Sequence, residues 1–221
     1  MNEALTLTVD GTEPLSAAAV AAVQEACDRA EAQGGSGGIL TIHVSGAPGG
    51  DWTSGLDVML VSKWERALRR LERLPVATVA VADGDCGGTA LDAFLAADVR
   101  AATNGTRLLI SGDATATWPG MAGYRLVALA GMARIRRAVL FGLPIEAPEA
   151  LRLGIVDEIV VEPAAATAAV AGLASGLAGK ELAIRRQLLF DAATTSFEDA
   201  LGPHLAACDR ALRGTARQEA S

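Results

Sequence analysis

Two short glycine-containing segments, TSGLDV (53–58) and DCGGTALD (85–92), hold the residues best suited to chemistry. In each, glycine lies close to the start of a predicted helix. Glycine lets the backbone approach a ligand closely, and the first N–H groups of a helix are unpaired donors at the positive end of its dipole. Two such segments brought together could stabilise negative charge on one oxygen. The alternative is that both are ordinary strand-to-helix turns, and neither matches G-x-G-x-x-G or the P-loop pattern of nucleotide binding.

Asp92 is a candidate general acid or base, because it follows the second glycine segment near the start of the predicted helix. A carboxylate in a water-poor pocket can transfer a proton to or from a substrate. Helix N–H contacts would lower its pKa and burial would raise it, so the sequence leaves its protonation state open. Thr89 and Asp92 also have the spacing of a capping box, in which Asp92 would only stabilise the helix end.

The histidines and cysteines do not indicate a second kind of site. His43 lies in a predicted strand and His204 in a predicted C-terminal helix, and no G-x-S-x-G elbow supports a catalytic triad. Cys27, Cys86 and Cys208 are far apart, odd in number and without metal-ligand spacing. We therefore expect no metal, and such cysteines are typical of a reducing cytoplasm.

Composition limits the range of partners. The chain has 221 residues, a net charge of −7 and 51% hydrophobic residues. The negative charge argues against general binding to nucleic acid or to an anionic membrane. We expect no signal peptide, because the first residues lack basic and apolar regions. The longest uncharged run, 163–179, is shorter than a bilayer span. A cytoplasmic protein with one good-sized domain is expected.

Apolar patterns predict strands that alternate with helices as far as residue 161. Strands are predicted at 5–9, 39–44, 76–82, 99–102, 107–110 and 155–161. Helices are predicted at 14–33, 56–74, 88–97, 124–141 and 146–154. This alternation indicates an α/β fold with a largely parallel sheet. Everything after Glu162 is predicted to be helical, so the chain divides into a core, 1–162, and a helical C-terminal segment, 163–221, with a frayed tail.

The order of four segments resembles the enoyl-CoA hydratase/isomerase (crotonase) superfamily. The segments are TSGLDVM, LERLPVATVAVADGDCGGTALDAFLAADVRAAT, WPGMAGYRL and AVLFGLPIEAPEALRLGIVDEIV. The resemblance covers roughly residues 5–212, with one small gap near Gly123. Within the superfamily, the short length and the wording DGDCGG look most like the small hydratase-like proteins of dihydroxyphenylglycine biosynthesis, which belong to glycopeptide-antibiotic pathways.

The resemblance implies a spiral of ββα turns and an acyl-CoA thioester as ligand, with no separate cofactor. It also implies a homotrimer, or a dimer of trimers, held together by the C-terminal helices. Carried over by position, the N–H donors to the thioester oxygen are those of Leu56 and Thr89, with Gly88 as the neighbouring alternative. Gly55 and Asp57 flank Leu56 and are then expected to contact the substrate.

The family's pair of catalytic carboxylates is matched only in part. The first aligns with Asp92, which is one methylene shorter than the glutamate expected there. The second position falls on Gly112, and Asp113 is the next residue. Asp113 could replace the missing carboxylate if the loop takes a different conformation from that of the family, or it could be a turn residue.

Two further groups could bind the ligand. The resemblance puts Trp118, Met121 and Tyr124 beside the acyl chain, although core packing explains them equally well. A basic stripe on helix 56–74 could bind the phosphates of coenzyme A; the alternative is a solvated face with Glu65–Arg69 pairing. The stripe consists of Lys63, Arg66, Arg69, Arg70 and Arg73. A second basic group consists of Lys180, Arg185 and Arg186.

These observations favour a lyase, an enoyl-CoA hydratase/dehydratase-like enzyme of dihydroxyphenylglycine biosynthesis. It would hold an enolate oxygen with main-chain amides and move protons with Asp92 and Asp113. The alternative is a low-activity accessory protein of the same fold. That protein would bind the thioester product of a type III polyketide synthase and assist the synthase.

Overall fold

A computed structural model of the chain describes residues 5–33, 38–50, 52, 54–110, 118–174 and 179–219. The strands are β1 (Leu5–Asp10), β2 (Ile39–Gly46), β3 (Ala77–Gly87), β4 (Val99–Thr103), β5 (Arg107–Leu109), β6 (Ile145–Glu146) and β7 (Glu158–Val160). The helices are α1 (Ala17–Gln33), α2 (Val58–Leu71), α3 (Gly88–Leu95), α4 (Ala122–Ala130), α5 (Met132–Phe141), α6 (Ala147–Arg152), α7 (Pro163–Ala174), α8 (Gly179–Ala192) and α9 (Phe197–Glu219).

The strands form one sheet in the order β1-β2-β3-β4-β7, and every pair along this path is parallel. Strand β5 also pairs in parallel with β3, whereas β6 pairs antiparallel with β5. The predicted α/β class and the largely parallel pairing are therefore confirmed. The apolar run of β3 is continuous because β3 is a central strand that is covered on both faces.

Strand β3 is longer than the sequence predicts, because it changes partner along its length. Val79–Ala82 pair with β4, and Asp85–Gly87 then pair with β5. The predicted end of this strand at residue 82 was therefore wrong. Asp85 accepts two hydrogen bonds from Arg107, at 2.7 and 2.8 Å, and Asp83 accepts one from Thr103 Oγ1 at 2.8 Å. Both aspartates tie β3 to its neighbours.

The predicted helix 124–141 is in fact two helices. Helix α4 ends and α5 begins at Gly131, whose φ of 79° lies in the left-handed region that favours glycine. The apolar spacing continues across this break, so periodicity alone did not reveal it. The change of direction lets α4 pack against α3 while α5 follows a different path.

Two apolar clusters fill the space on either side of the sheet. The larger lies among β1–β3 and helices α1, α2 and α3, and every residue of α3 is buried. The smaller lies on the opposite face, where Ala166 and Val170 of α7 cover Val79 and Val81. Helix α7 therefore completes the core, and the boundary at residue 162 stays a prediction.

Helices α8 and α9 carry many apolar side chains that face outwards. Those more than a third exposed are Leu189, Phe190, Phe197, Leu201, Leu205 and Leu212. Helix α8 is joined to the core by Arg186, which binds Asp98 and donates to the carbonyl oxygens of Leu74 and Val76. Within the described ranges, every helix is too short or too polar to cross a bilayer.

Candidate active site

The first glycine segment leads into helix α2. Gly55 has a φ of 74°, and Asp57 caps the helix by accepting a hydrogen bond from Leu60 N–H at 2.6 Å. Leu56 lies between them, partly buried against the core, and its N–H has no hydrogen-bond partner among the described residues. The Leu56 amide therefore lies at the entry of a helix, where no described residue accepts its hydrogen bond. The substrate contacts of Gly55 and Asp57 stay predictions.

The second glycine segment is where β3 passes directly into α3. Gly87 occupies the N-cap position without a side-chain cap, and Gly88 has a φ of 55°. A Cβ on Gly88 would overlap the ring of Pro48, so only glycine fits this position. Gly88 and Thr89 thus supply first-turn N–H groups, which have no partners inside the helix. Donation of Leu56 and Thr89 to one oxygen stays a prediction.

Asp92 lies in the middle of α3 with its side chain fully buried. Its Oδ2 accepts two hydrogen bonds from indole groups, from Trp118 Nε1 at 2.8 Å and from Trp64 Nε1 at 3.1 Å. Its Oδ1 is buried and has no hydrogen-bond partner among the described residues. The capping-box interpretation was therefore wrong, because Asp92 bonds to tryptophans of other segments and the cap position belongs to Gly87.

Burial dominates the electrostatics of Asp92 and raises the pKa of its carboxyl to about 7. The hydrogen bond from Trp118 opposes this rise, and that from Trp64 does so more weakly. The nearby Glu65 carboxylate raises the pKa further, and the Arg125 cation lowers it. A carboxyl that titrates near neutrality can both accept and release a proton under physiological conditions.

An ion-pair cluster holds the segment that carries Trp118. Arg125, near the start of α4, donates to Glu72 at 2.8 Å and to Glu65 at 2.9 Å. Glu65 lies on α2, and Glu72 is the C-cap residue of that helix. Glu65 also accepts the Met121 N–H at 2.7 Å, directly after Trp118–Gly120. The predicted Glu65–Arg69 pair was wrong, because Arg69 binds Glu72. Helices α2 and α4 are thus fixed to each other around Asp92.

A cavity of about 130 Å³ lies next to this group of residues. Its lining includes Gly88, Leu91, Ile110, Trp118, Gly120, Met121, Tyr124 and Val139. The three residues predicted to lie beside an acyl chain therefore share one cavity with Gly88 of the second glycine segment. On the far side of Trp118, its ring packs against Trp52, with centroids 5.4 Å apart. The lining is largely apolar and suits a short hydrocarbon group.

The remaining predicted groups have different outcomes. Asp113 and Gly112 lie outside the described residues, and so does the side chain of Lys180. Arg70 of the basic stripe binds Asp28 and Glu31 of α1, and binding of coenzyme A phosphates by the stripe stays a prediction.

Arg186 is buried and bound to Asp98, so its assignment as a phosphate ligand was wrong. The described residues contain no group of three potential metal ligands.

Sequence reasoning missed Trp64 and Arg125. A signal for Trp64 was available, because a buried indole N–H needs an acceptor and the chain has just three tryptophans. The acceptor itself, Asp92, lies 28 residues further along the chain. Arg125 and Glu65 are separated by 60 residues, so their pairing has no local pattern.

The family model described as enoyl-CoA hydratase/isomerase matches residues 52–220. A protein named enoyl-CoA-hydratase from Amycolatopsis orientalis is 55% identical over 213 residues, which cover 96% of this chain and 98% of that protein.

Solved structures share the fold. An enoyl-CoA hydratase from Polaromonas sp. JS666 has a TM-score of 0.79 at 19% identity, with 96% of this chain and 90% of that chain covered. A protein assigned as an enoyl-CoA hydratase from Thermobifida fusca YX, in complex with acetoacetyl-CoA, has a TM-score of 0.76 at 15% identity, with 97% and 94% covered. The family model and the Amycolatopsis relative carry the assignment beyond the fold: the chain belongs to the enoyl-CoA hydratase/isomerase family.

Proposed function

We propose that the protein is a lyase of the enoyl-CoA hydratase/dehydratase type that acts on an acyl-CoA thioester. One observation carries the proposal: the fully buried Asp92 has one oxygen without a partner among the described residues and a pKa of about 7, and it lies in the helix that begins at Gly88. Membership of the family supports a CoA thioester as substrate. No separate cofactor is needed.

Asp92 alone can balance the protons of a dehydration. Ionised Asp92 removes a proton from C2 of a 3-hydroxyacyl thioester, and the electron pair moves onto the thioester oxygen. The N–H groups of Leu56 and of Thr89 or Gly88 hold that oxygen as an enolate. Protonated Asp92 then gives the proton to the hydroxyl on C3, which leaves as water while the C2–C3 double bond forms. Hydration is the reverse, and Asp113 would share these transfers as a second carboxylate.

The cavity beside Asp92 supports a short acyl group. Its volume of about 130 Å³ is small, and Trp118, Met121 and Tyr124 line it. Met121 and Tyr124 are also exposed, so they lie where a substrate can enter from solvent. We propose that the acyl chain occupies this cavity and that the coenzyme A portion extends outwards.

The proposal includes assembly into a homotrimer or a dimer of trimers through the C-terminal helices. What supports it is the set of exposed apolar side chains on α8 and α9, with further ones on α5. Phe197 and Phe141 are 75% and 71% exposed, and burial of such side chains between copies would be strongly favourable. We further propose a cytoplasmic location.

The narrower proposal concerns the pathway. The DGDCGG segment and the short chain support a role in dihydroxyphenylglycine biosynthesis, after a type III polyketide synthase. One observation favours the accessory alternative: the position of the family's second carboxylate is Gly112. A protein with a single proton-transfer group could hold the synthase's thioester product with little chemistry of its own.

The test compares wild type with Asp92→Asn and Asp113→Asn on crotonyl-CoA and on the thioester product of a type III synthase, following enoyl absorbance. We expect Asp92→Asn to lower turnover by about 10²–10⁴-fold. Asp83→Asn is the matched control, since it changes a carboxylate of the neighbouring strand that bonds to Thr103. Its activity should resemble that of wild type.

The other outcomes are equally informative. Tight binding of both thioesters without turnover would support the accessory protein and contradict the lyase. Neither binding nor turnover would contradict both functions.

A further inference from the structure

The three tryptophans of the chain gather around one carboxyl group. Trp64 from α2 and Trp118 from the segment before α4 donate to the same oxygen of Asp92, and Trp52 packs against Trp118. The proposed proton transfer requires a carboxyl, but it does not require two indole donors on one of its oxygens. The convergence of these side chains from separate segments calls for a role of its own.

The hydrogen-bonding capacity of indole makes the two oxygens of Asp92 unequal. An indole N–H can only donate, so Trp64 and Trp118 together occupy both lone-pair positions of Oδ2. A proton on Asp92 is therefore carried by the other oxygen, Oδ1. Oδ1 makes no hydrogen bond in the described part of the chain. One oxygen is held by two donors, and the other, although buried, keeps its lone pairs for a proton.

We propose that Trp64 and Trp118 are positioning residues that fix the carboxyl of Asp92, so that Oδ1 is the oxygen that takes the proton from the substrate and returns it. This inference rests on the proposed function. The observation behind it is the pair of hydrogen bonds to Oδ2, beside an Oδ1 to which no described residue bonds.

The backbone at Gly120 packs against the oxygen of Asp92 that the two indoles hold. A Cβ on Gly120 would overlap both Asp92 Oδ2 and Trp118 Nε1. The backbone of Gly120 therefore lies against the held oxygen, and Oδ1 is the oxygen left for the substrate proton.

The charged groups near Asp92 explain why neutral donors matter. Glu65 of α2 and Arg125 of α4 act on it with opposite sign. From β3, Cys86 contributes a thiol whose pKa is raised by burial first and by Asp92 second. The indole bonds stabilise the ionised carboxyl without adding a counter-charge. Asp92 can therefore lose and regain its proton while its orientation is retained.

The experiment uses intrinsic fluorescence and needs no substrate. Because every tryptophan lies around Asp92, emission of the wild type should change with a midpoint near pH 7, and Asp92→Asn should abolish this transition. Trp118→Phe should move the midpoint to higher pH, with about a fivefold smaller ionised fraction at pH 7. Trp64→Phe should move it less, because its bond is 3.1 Å rather than 2.8 Å.

Trp52→Phe is the matched control, since it makes the same change in a ring that packs on Trp118. Its midpoint should equal that of the wild type. An equal midpoint in Trp118→Phe and Trp52→Phe would overturn the inference, and so would a transition that persists in Asp92→Asn. If Trp64→Phe does not fold, the comparison of Trp118→Phe with Trp52→Phe still tests the inference.

Turnover separates this inference from the proposed function. For Trp118→Phe we expect kcat to fall about 10–100-fold with little change in KM, because the proton-transfer group is misplaced while the pocket remains. If the wild type shows the expected fluorescence transition but turns over no thioester, the proposed function is overturned. The conclusion that the two indoles hold the carboxyl of Asp92 then still stands. Turnover with a flat fluorescence response would overturn the inference alone.

Discussion

Two groups of buried carboxylates lie side by side in this protein and are held in different ways. Asp92 is held by neutral indole N–H groups, at 2.8 and 3.1 Å. Glu65 and Glu72 are held by the Arg125 cation, at 2.9 and 2.8 Å. Both groups have contacts with α2, so the difference lies in the charge of the partner.

The charge of the partner decides what each group can do. Burial lowers the pKa of Arg125, but Glu72 and Glu65 outweigh burial and raise it, so Arg125 keeps its charge and the cluster serves as a scaffold. Asp92 receives hydrogen bonds without a compensating charge, and burial raises its pKa to about 7. A neutral donor therefore orients a carboxyl and still allows it to change protonation state.

The largest effect on stability should come from removing the cation. Arg125→Met leaves Glu65 and Glu72 without their shared partner in the interior, and we expect the free energy of unfolding to fall by about 3–5 kcal/mol. Equilibrium denaturation by urea measures this. The control is Arg70→Met, which breaks the more exposed pairs with Asp28 and Glu31 and should change stability by about 1 kcal/mol or less. Equal losses in the two variants would contradict the comparison.

A smaller effect should appear in the pH dependence of stability. The pKa of Asp92 rises from 3.8 to about 7 on folding, so the folded state binds the proton more tightly. Stability associated with Asp92 is therefore greatest below about pH 4 and is lost as pH rises towards 7.

Asp92→Asn removes this titration and provides the measurement. Relative to Asp92→Asn, the wild type should lose about 2–4 kcal/mol between pH 4 and pH 8. A difference between the two proteins that does not vary with pH would show that the indole-held carboxyl does not titrate in this range.

The smallest effect should come from crowding the indole contact. Gly120→Ala introduces a Cβ against Asp92 Oδ2 and Trp118 Nε1, and we expect a loss of about 1–3 kcal/mol. Gly123→Ala is the control, because a Cβ there meets nothing within 4 Å and the residue lies in α4. It should stabilise the protein by about 0.5–1 kcal/mol. Thermal unfolding of the two variants should shift in opposite directions.

The parts of the fold that could be predicted are those with local signals. The apolar run at 76–82 predicted the central strand, and the glycines at 87 and 88 marked the start of α3. The exact end of β3 could not be predicted, because Asp85–Gly87 continue the strand by pairing with β5, some twenty residues further along the chain. The break at Gly131 was missed because the apolar spacing runs through it.

The candidate site shows the same division. Asp92 was predicted as an acid or base from its place in the helix, but its protonation state could not be, because burial and hydrogen bonding oppose each other. Trp118 was predicted as part of the pocket wall, and its indole N–H proves to be a donor to Asp92. The hydrogen bond from Trp64 to Asp92 was not predicted, because no residue near Trp64 in the sequence indicates it.

The sequence by itself determined the alternating strands and helices, the two glycine-led helix starts and the position of one carboxylate in α3. These features follow from residue type and short-range spacing, which act within a turn or a strand. Only the tertiary structure decided that this carboxyl is fully buried and held by two indoles, while Glu65 of α2 and Glu72 at its C-cap pair with an arginine. Burial and partner charge are set by segments up to 60 residues apart, and their packing fixes which acid can titrate.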